Sequence, residues 1–303
     1  MNDTRRGMAA MVLACAIWGL SPLFYKQLAH VQPLEVLSYR TLWSLVFFGL
    51  VLAVQRRLRE LSGFLFHNHL LVGAAALLIS INWGLYIWSI QVGRAMEASL
   101  GYYIFPLVAV LLGAVFFRER LAPLKWLAVG LAGAGVLALT LGLHLVPLVA
   151  LSLAVTFGLY GLIKKRIAAG AVISVTGEVL LLAPLAIGWL IWLWFGSGLG
   201  ADADDIRTHL LLAASGPLTA GPLILFSFAT RRVRMSTIGL MQYINPTLQF
   251  LCAAVVFGEP FTQWHATAFG LIWAALALYS GQAVLEERAI RRASTSVGTS
   301  GTV

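Results

Sequence analysis

The chain contains ten apolar stretches, each long enough for a helix to cross a membrane. About 20 mostly apolar residues span the hydrocarbon core of a bilayer. Barrel strands would alternate apolar and polar residues, and a run such as LLVGAAALLI (70–79) does not. We therefore predict an all-α integral membrane protein of ten transmembrane helices. The predicted spans are 8–28, 34–54, 70–92, 96–117, 124–142, 146–163, 174–195, 209–229, 235–257 and 265–285.

The composition supports a membrane protein. Only 11% of the 303 residues are charged and the mean hydropathy is +0.87, whereas a soluble domain has about 25% charged residues. Cys15 and Cys252 both lie inside apolar stretches, so a disulfide framework is not indicated. VLACA near the start is a poor lipoprotein cleavage site, because the apolar run continues past Cys15. We interpret it as part of a first transmembrane helix.

The net charge of +9 follows from topology. With the N-terminus in the cytoplasm, 17 of the 21 basic residues lie in the tails and in the even-numbered connections. This is the positive-inside pattern, and ten spans also place the C-terminus in the cytoplasm. We predict a multi-pass protein of the cell inner (plasma) membrane. No nucleic-acid partner is indicated.

An unusual phrase occurs twice: GYYIFP at 101–106 and MQYINP at 241–246. A shift of 140 residues superposes them and also places Glu119 on Glu259. We predict two five-helix repeats, at 7–142 and 146–285, followed by a disordered cytoplasmic tail at 286–303. Because five is odd, the second repeat enters the membrane from the opposite side. Inverted repeats of this kind are typical of secondary transporters.

Several segments resemble a known family. The repeat with F-x-E after each fourth helix resembles the EamA repeat of the drug/metabolite transporter superfamily. WGLSPLFYKQL (18–28), INWGLYIWS (81–89), EASLGYYIFPL (97–107) and GLMQYINPTLQFL (239–251) are similar to its RarD branch, which is named for chloramphenicol sensitivity. The resemblance implies a ten-helix inner-membrane permease, an exporter of amino acids, related metabolites or small drugs.

Polar and aromatic side chains concentrate in the helices that carry these segments, and intramembrane polar residues favour an inward-facing position. The predicted substrate-binding residues are Trp18, Ser21, Tyr25, Asn82, Trp83, Tyr86, Tyr102, Tyr103, Tyr160, Gln242, Tyr243 and Asn245. Prolines inside helices free a backbone carbonyl and produce kinks. The predicted gating or hinge residues are Pro22, Pro106, Pro217 and Pro246.

For several of these residues, a purely structural role is an alternative interpretation. Asn82, Gln242 and Asn245 are equally compatible with hydrogen bonds between helices. Glu97 follows Arg94 at helical spacing, which favours an ion pair between them. The alternative is that Glu97 relays protons. Glu119 and Glu259 are interpreted as caps or anchors at the turn into the next helix.

The predicted cavity is aromatic, rich in amides and nearly free of fixed charge. It suits a small amphipathic solute, either amino acid-like or a neutral aromatic compound. GLAGAG (130–135) resembles a dinucleotide fingerprint but lies mid-membrane, where small residues favour close helix packing. The His67-Asn68-His69 run lacks a third metal ligand. We predict a monomeric secondary transporter without cofactor, metal or catalytic residues. The alternative is a membrane-embedded enzyme or lipid-handling protein.

Overall fold

The computed structural model describes residues 2–118, 122–144, 146–197 and 205–299, and this part of the chain is all-helical. Short π-helical segments extend α7 (Leu193–Ser197) and α10 (Cys252–Val256). The helices are α1 (Asn2–Gln27), α2 (Pro33–Val54), α3 (Leu58–Gln91), α4 (Ala95–Phe117), α5 (Pro123–Leu143), α6 (Leu148–Lys164), α7 (Ala171–Trp192), α8 (Ile206–Thr230), α9 (Met235–Met241), α10 (Ile244–Leu251) and α11 (Gln263–Thr299).

Seven of the described helices, α1–α5, α7 and α8, are long and apolar enough to cross a membrane, and α6 is a shorter apolar helix. Large apolar side chains cover the outside of the bundle, among them Val54, Phe66, Leu70 and Leu185 with 71 to 79% of their surface exposed. A surface of this kind requires a lipid solvent. The chain therefore folds as an α-helical membrane protein.

Local sequence sets the helix boundaries. Pro33 and Pro123 occupy the first turn of α2 and α5. A proline is tolerated there because backbone N–H groups in the first turn have no intrahelical acceptor. Gly93, with a φ of +76°, makes the tight turn between α3 and α4. α3 begins at Leu58, well before the apolar span predicted at 70–92, and α11 continues to Thr299, into the segment predicted as a tail.

The predicted span 235–257 is an interrupted helix. α9 ends at Met241 and α10 begins at Ile244, so the break lies at Gln242 and Tyr243. Pro246 explains its position, because a proline has no N–H to donate and its ring displaces the carbonyl four residues earlier, that of Gln242. That carbonyl instead accepts a hydrogen bond from the N–H of Asn245, three residues later, at 3.2 Å. α4 contains Pro106 and remains one helix.

Side-chain contacts at the helix ends define two faces of the bundle. At the face where α1 begins, the Arg232 guanidinium pairs with Asp3 at 3.0 Å. At the face where α1 ends, His30 bonds Thr208 at the start of α8, so α1 and α8 are antiparallel. We name these the amino-terminal face and the opposite face.

Two glycines let helices approach closely. A Cβ atom on Gly101 of α4 would lie 2.7 Å from the Ala150 carbonyl oxygen of α6. A Cβ atom on Gly135 of α5 would lie 3.0 Å from the Ala268 carbonyl oxygen of α11. Gly135 belongs to the GLAGAG segment, where the structure therefore has the close helix packing that the sequence favours over a nucleotide site.

Candidate functional site

A cavity of about 950 Å³ occupies the centre of the bundle. Its wall takes side chains from every one of the eleven described helices. At one end it reaches Lys125, Lys164 and Ala171, which lie at the ends of α5, α6 and α7 on the amino-terminal face. At the other end the lining includes Arg40 and Tyr102, each inside its helix, and Tyr25 near the end of α1. The cavity thus extends to the amino-terminal face.

Ten of the twelve predicted substrate-binding side chains line this cavity. Two of the predicted hinge prolines, Pro106 and Pro246, also line it, whereas Pro22 and Pro217 lie within α1 and α8 away from the wall. The ten are Trp18, Ser21, Tyr25, Trp83, Tyr86, Tyr102, Tyr160, Gln242, Tyr243 and Asn245.

Asn82 and Tyr103 are the two predicted residues outside the lining. Asn82 is fully buried, and its Nδ2 donates to the Leu153 carbonyl and to Thr156 Oγ1, both at 2.9 Å. Its Oδ1 accepts from the Tyr102 hydroxyl at 3.1 Å. Asn82 therefore joins α3 to α6 and fixes a cavity tyrosine. The Tyr103 hydroxyl bonds Thr247 Oγ1 at 2.6 Å, which joins α4 to α10.

Aromatic rings follow one another along the wall in edge-to-face or stacked contact. Ring centroids are 6.0 Å apart between Tyr25 and Tyr86, 5.7 Å between Tyr86 and Tyr102, and 6.0 Å between Tyr102 and Phe157. Tyr160 continues the series, 5.9 Å from Phe157. These distances suit aromatic pairs. The row offers an apolar solute a continuous surface from the depth of the cavity to its mouth.

Arg40 lies at the deep end of this row, although the sequence predicts a cavity nearly free of fixed charge. Its Nε donates to Thr219 Oγ1 at 2.7 Å, and its guanidinium carbon lies 4.0 Å from the centre of the Trp83 ring. A cation–π contact of this kind contributes up to about 2 kcal/mol when desolvated. Arg40 is 6% exposed. The signal available in the sequence was an arginine inside an apolar span.

A second charged cluster lies where α6 ends and α7 begins. The buried Glu178 carboxylate accepts from Lys164 Nζ at 2.6 Å, from the Tyr160 hydroxyl at 3.0 Å and from Ser174 Oγ at 3.2 Å. Tyr160 and Lys164 line the cavity, and Lys125 and Lys165 do so too. In the sequence, these lysines indicate only the topology of the chain. The mouth of the cavity therefore has basic side chains.

An amide pair lines the wall on α10. The Gln249 Nε2 donates to Asn245 Oδ1 at 2.9 Å. Gln249 is 3% exposed, and its Oε1 has no hydrogen-bond partner among the described residues. An unpaired polar atom in a buried position costs free energy unless a ligand or water completes it. The pair therefore contains a buried, unpaired oxygen within the cavity wall.

Carboxylates close the opposite face. Both oxygens of Glu259 accept bonds of 2.7 Å, from the N–H groups of Ala95 and Met96 at the start of α4. Glu97 accepts from the Val149 N–H at 2.9 Å, at the start of α6, while Arg94 lies 3.9 Å from its other oxygen. Anionic groups at helix N-termini are stabilising. Glu259, interpreted from the sequence as a cap or anchor at the turn into the next helix, caps α4 from that turn; Glu119 lies outside the described residues.

Two further hydrogen bonds connect α1–α5 to α6–α11 at this face. His30 Nε2 and Thr208 Oγ1 are 2.8 Å apart, and Arg207 Nη2 donates to Gln27 Oε1 at 3.1 Å. Together with the two glutamate caps, they form four links between the two groups of helices. The opposite face is therefore held shut above the deep end of the cavity.

Comparison with known proteins identifies the family. Residues 5–141 match the family model described as the EamA-like transporter family. An uncharacterized transporter of Vibrio cholerae is 39% identical over 294 residues, which cover 96% of this chain and 97% of the relative. The chain belongs to the EamA-like transporter family. It is thus a multi-pass transporter-family protein of the inner membrane.

Further relatives agree with this assignment. Protein RarD of Streptomyces exfoliatus is 39% identical over 296 residues, covering 96% of this chain and 93% of the relative. This family member is accordingly RarD-like. One solved crystal structure matches with a TM-score of 0.58 and 22% identity, covering 90% of this chain and 96% of the other. At that identity the match concerns the fold alone.

Proposed function

We propose that the chain is a secondary transporter that exports amino acids or similar small amphipathic metabolites and drugs by alternating access. Ten transmembrane helices, arranged as two inverted five-helix repeats, place both termini in the cytoplasm. No catalytic step and no cofactor are involved. The family assignment supports transport, and the match at residues 5–141 supports a first repeat at 7–142.

The observation that carries this proposal is a central cavity with one accessible end. The cavity reaches the amino-terminal face, and the opposite face is closed by links such as Glu259 to the start of α4. Alternating access requires a site between two groups of helices that opens to one side at a time. On the proposed topology this conformation is open to the cytoplasm, where an exporter loads its cargo.

Pro106 and Pro246 support a gating role because they line the same cavity from α4 and α10. The break at Gln242 and Tyr243 supplies backbone that can change direction without breaking a continuous helix. Interrupted helices at transporter sites are common. We assign gating to this pair first and to Pro22 and Pro217, within α1 and α8, second.

Reconstituted protein tests transport directly. Vesicles loaded with unlabelled phenylalanine should accumulate radiolabelled phenylalanine by exchange, and protein-free vesicles should not. Gly239→Trp should reduce exchange at least tenfold, because Gly239 lines the cavity and a new side chain there meets open space.

Gly63→Trp is the matched control, since Gly63 is exposed on α3 and has nothing near an added Cβ. It should leave exchange unchanged. If amino acids and neutral aromatic compounds all fail to cross with wild-type protein, the proposed function is wrong.

A further inference from the structure

Arg40 is a buried cation without an anionic partner in the part of the chain that the structure describes. It is 6% exposed, lies inside α2 and lines the cavity. Among the residues that the structure describes, no carboxylate forms an ion pair with it. One hydrogen bond and two aromatic rings compensate part of the cost of burying this charge, and an anion compensates more of it. The position therefore calls for an anion that the described chain does not supply.

The contacts of Arg40 leave one side of its guanidinium unused. Nε donates to Thr219 Oγ1, and that hydroxyl donates onward to the Ser215 carbonyl at 2.9 Å. The flat face packs on Trp83. Neither terminal nitrogen donates to a described residue. These contacts, together with the Tyr25 ring 5.7 Å from the guanidinium carbon, hold the guanidinium in a fixed orientation, and no described residue accepts from its terminal N–H groups.

We propose that Arg40 is the anchor for a carboxylate of the transported solute, and that the cavity therefore selects aromatic or apolar compounds that carry one. Two parallel N–H···O bonds from the free nitrogens match the geometry of a carboxylate. The aromatic row from Tyr25 to Tyr160 receives the apolar part. This inference deepens the proposed function and rests on it, because it excludes neutral aromatic drugs as preferred cargo.

The charge distribution favours a carboxylate over a phosphate. Arg40 is the one basic residue at the deep end of the lining, and Lys125, Lys164 and Lys165 lie at the mouth. A dianionic phosphate is best held by several convergent cations. A monoanionic carboxylate needs only one cation.

Four matched probes test the requirement with the wild-type full chain, by calorimetric titration in detergent and by flux in vesicles. They are 3-phenylpropanoate, 3-phenylpropanol, L-phenylalanine and L-phenylalaninol. Each acid should bind at least tenfold more tightly than its alcohol. Comparing 3-phenylpropanoate with 3-phenylpropanol shows whether an acid without an amine is sufficient. Comparing L-phenylalanine with L-phenylalaninol shows whether the amine is needed as well. Equal affinities within both pairs would overturn the proposal.

Variants assign the preference to one residue. Arg40→Gln should abolish the advantage of acid over alcohol, and Arg40→Lys should retain part of it, since a lysine keeps the charge but not the fork. Arg57→Gln removes an exposed arginine on the amino-terminal face and should change nothing. An acid advantage that survives in Arg40→Gln contradicts the proposal. If Arg40→Gln does not fold, Arg40→Lys and the wild-type pairs decide.

The two readouts separate this inference from the proposed function. Acid-selective binding without any flux would refute transport and leave the Arg40 site standing. Flux that does not distinguish acid from alcohol would refute the Arg40 site and leave transport standing. If none of the four probes binds while another solute crosses, the carboxylate requirement is wrong.

Discussion

At the scale of single residues, Glu178 shows how this protein keeps a carboxylate inside a membrane helix. The side chain is 1% exposed and has three hydrogen-bond donors, from Lys164, Tyr160 and Ser174. A carboxylate in so apolar a position is tolerated only when its charge and its lone pairs are all met. The cluster therefore holds the end of α6 against the beginning of α7.

Removing one partner of this pair should destabilise the protein. Glu178→Gln leaves Lys164 Nζ, 23% exposed, without its anion, and we expect a loss of about 3 kcal/mol, at the low end of the cost of breaking a buried pair. The double variant Lys164→Met, Glu178→Leu should recover most of it, because both charges are then absent. Unfolding in mixed detergent micelles measures both free energies.

The exposed pair of Arg57 and Glu60 provides the control. Its side chains are 39% and 52% exposed, and Arg57→Gln should cost less than about 1 kcal/mol. A Glu178→Gln protein as stable as wild type would show that the buried pair contributes nothing to the packing of α6 on α7.

How far the sequence predicts the site can be judged from particular residues. Tyr86 and Tyr102 are predicted because aromatic residues inside polar-rich spans favour an inward position, and both line the cavity. Asn82 shares that pattern, yet it bonds α6, and sequence spacing alone cannot distinguish a cavity wall from a helix interface. Lys164 follows the positive-inside rule, so its place beside the cavity had no separate signal. The sequence shows Arg40 as a charge inside an apolar span, but only the folded structure shows that no described carboxylate pairs with it.

At the scale of helices, Glu259 is a cap supplied by the other group of helices. Its two bonds of 2.7 Å reach the start of α4, where free N–H groups and the helix dipole both favour an anion. A cap supplied from outside its own helix stabilises that helix only while the two groups are in contact. The link is therefore specific to the conformation in which the opposite face is closed.

Glu259→Gln should loosen that closure. The amide keeps one acceptor and loses the charge, which weakens the cap by about 1 kcal/mol and shifts the open fraction about fivefold. Ser99→Cys, fully buried one turn inside α4, reports opening through its reaction rate with a membrane-impermeant maleimide, once Cys15 and Cys252 are replaced by alanine. Glu60→Gln, at the amino-terminal face, is the control. If Glu259→Gln leaves the labelling rate of Ser99→Cys unchanged, the Glu259 cap does not hold the opposite face closed.

The paired phrases fold differently, although each carries a proline at the corresponding position. Both contain Tyr-Ile-x-Pro, yet Pro106 is accommodated inside α4 and Pro246 follows a break. Pattern recognition could place both on helices, because the apolar period is the same. It could not choose between a continuous helix and a broken one, since the same motif is compatible with both.

At the scale of the whole molecule, the two faces have opposite character. The amino-terminal face has the cavity mouth with its lysines, and the opposite face has the four links between helix groups. On the proposed topology, the amino-terminal face lies in the cytoplasm, where the basic connections also lie. On that topology, the cavity is reached from the cytoplasm in this conformation.

Cysteine labelling in the membrane tests this arrangement. Gly239→Cys lines the cavity in open space, and Ala29→Cys is exposed in the turn after α1 at the opposite face. In a background without Cys15 and Cys252, an impermeant maleimide should label Gly239→Cys in inside-out vesicles and Ala29→Cys in intact cells. Each should react at least tenfold more slowly from the other side. Labelling of Gly239→Cys in intact cells with Ala29→Cys protected would reverse the orientation. Labelling of Gly239→Cys from both sides would show that the opposite face is open as well.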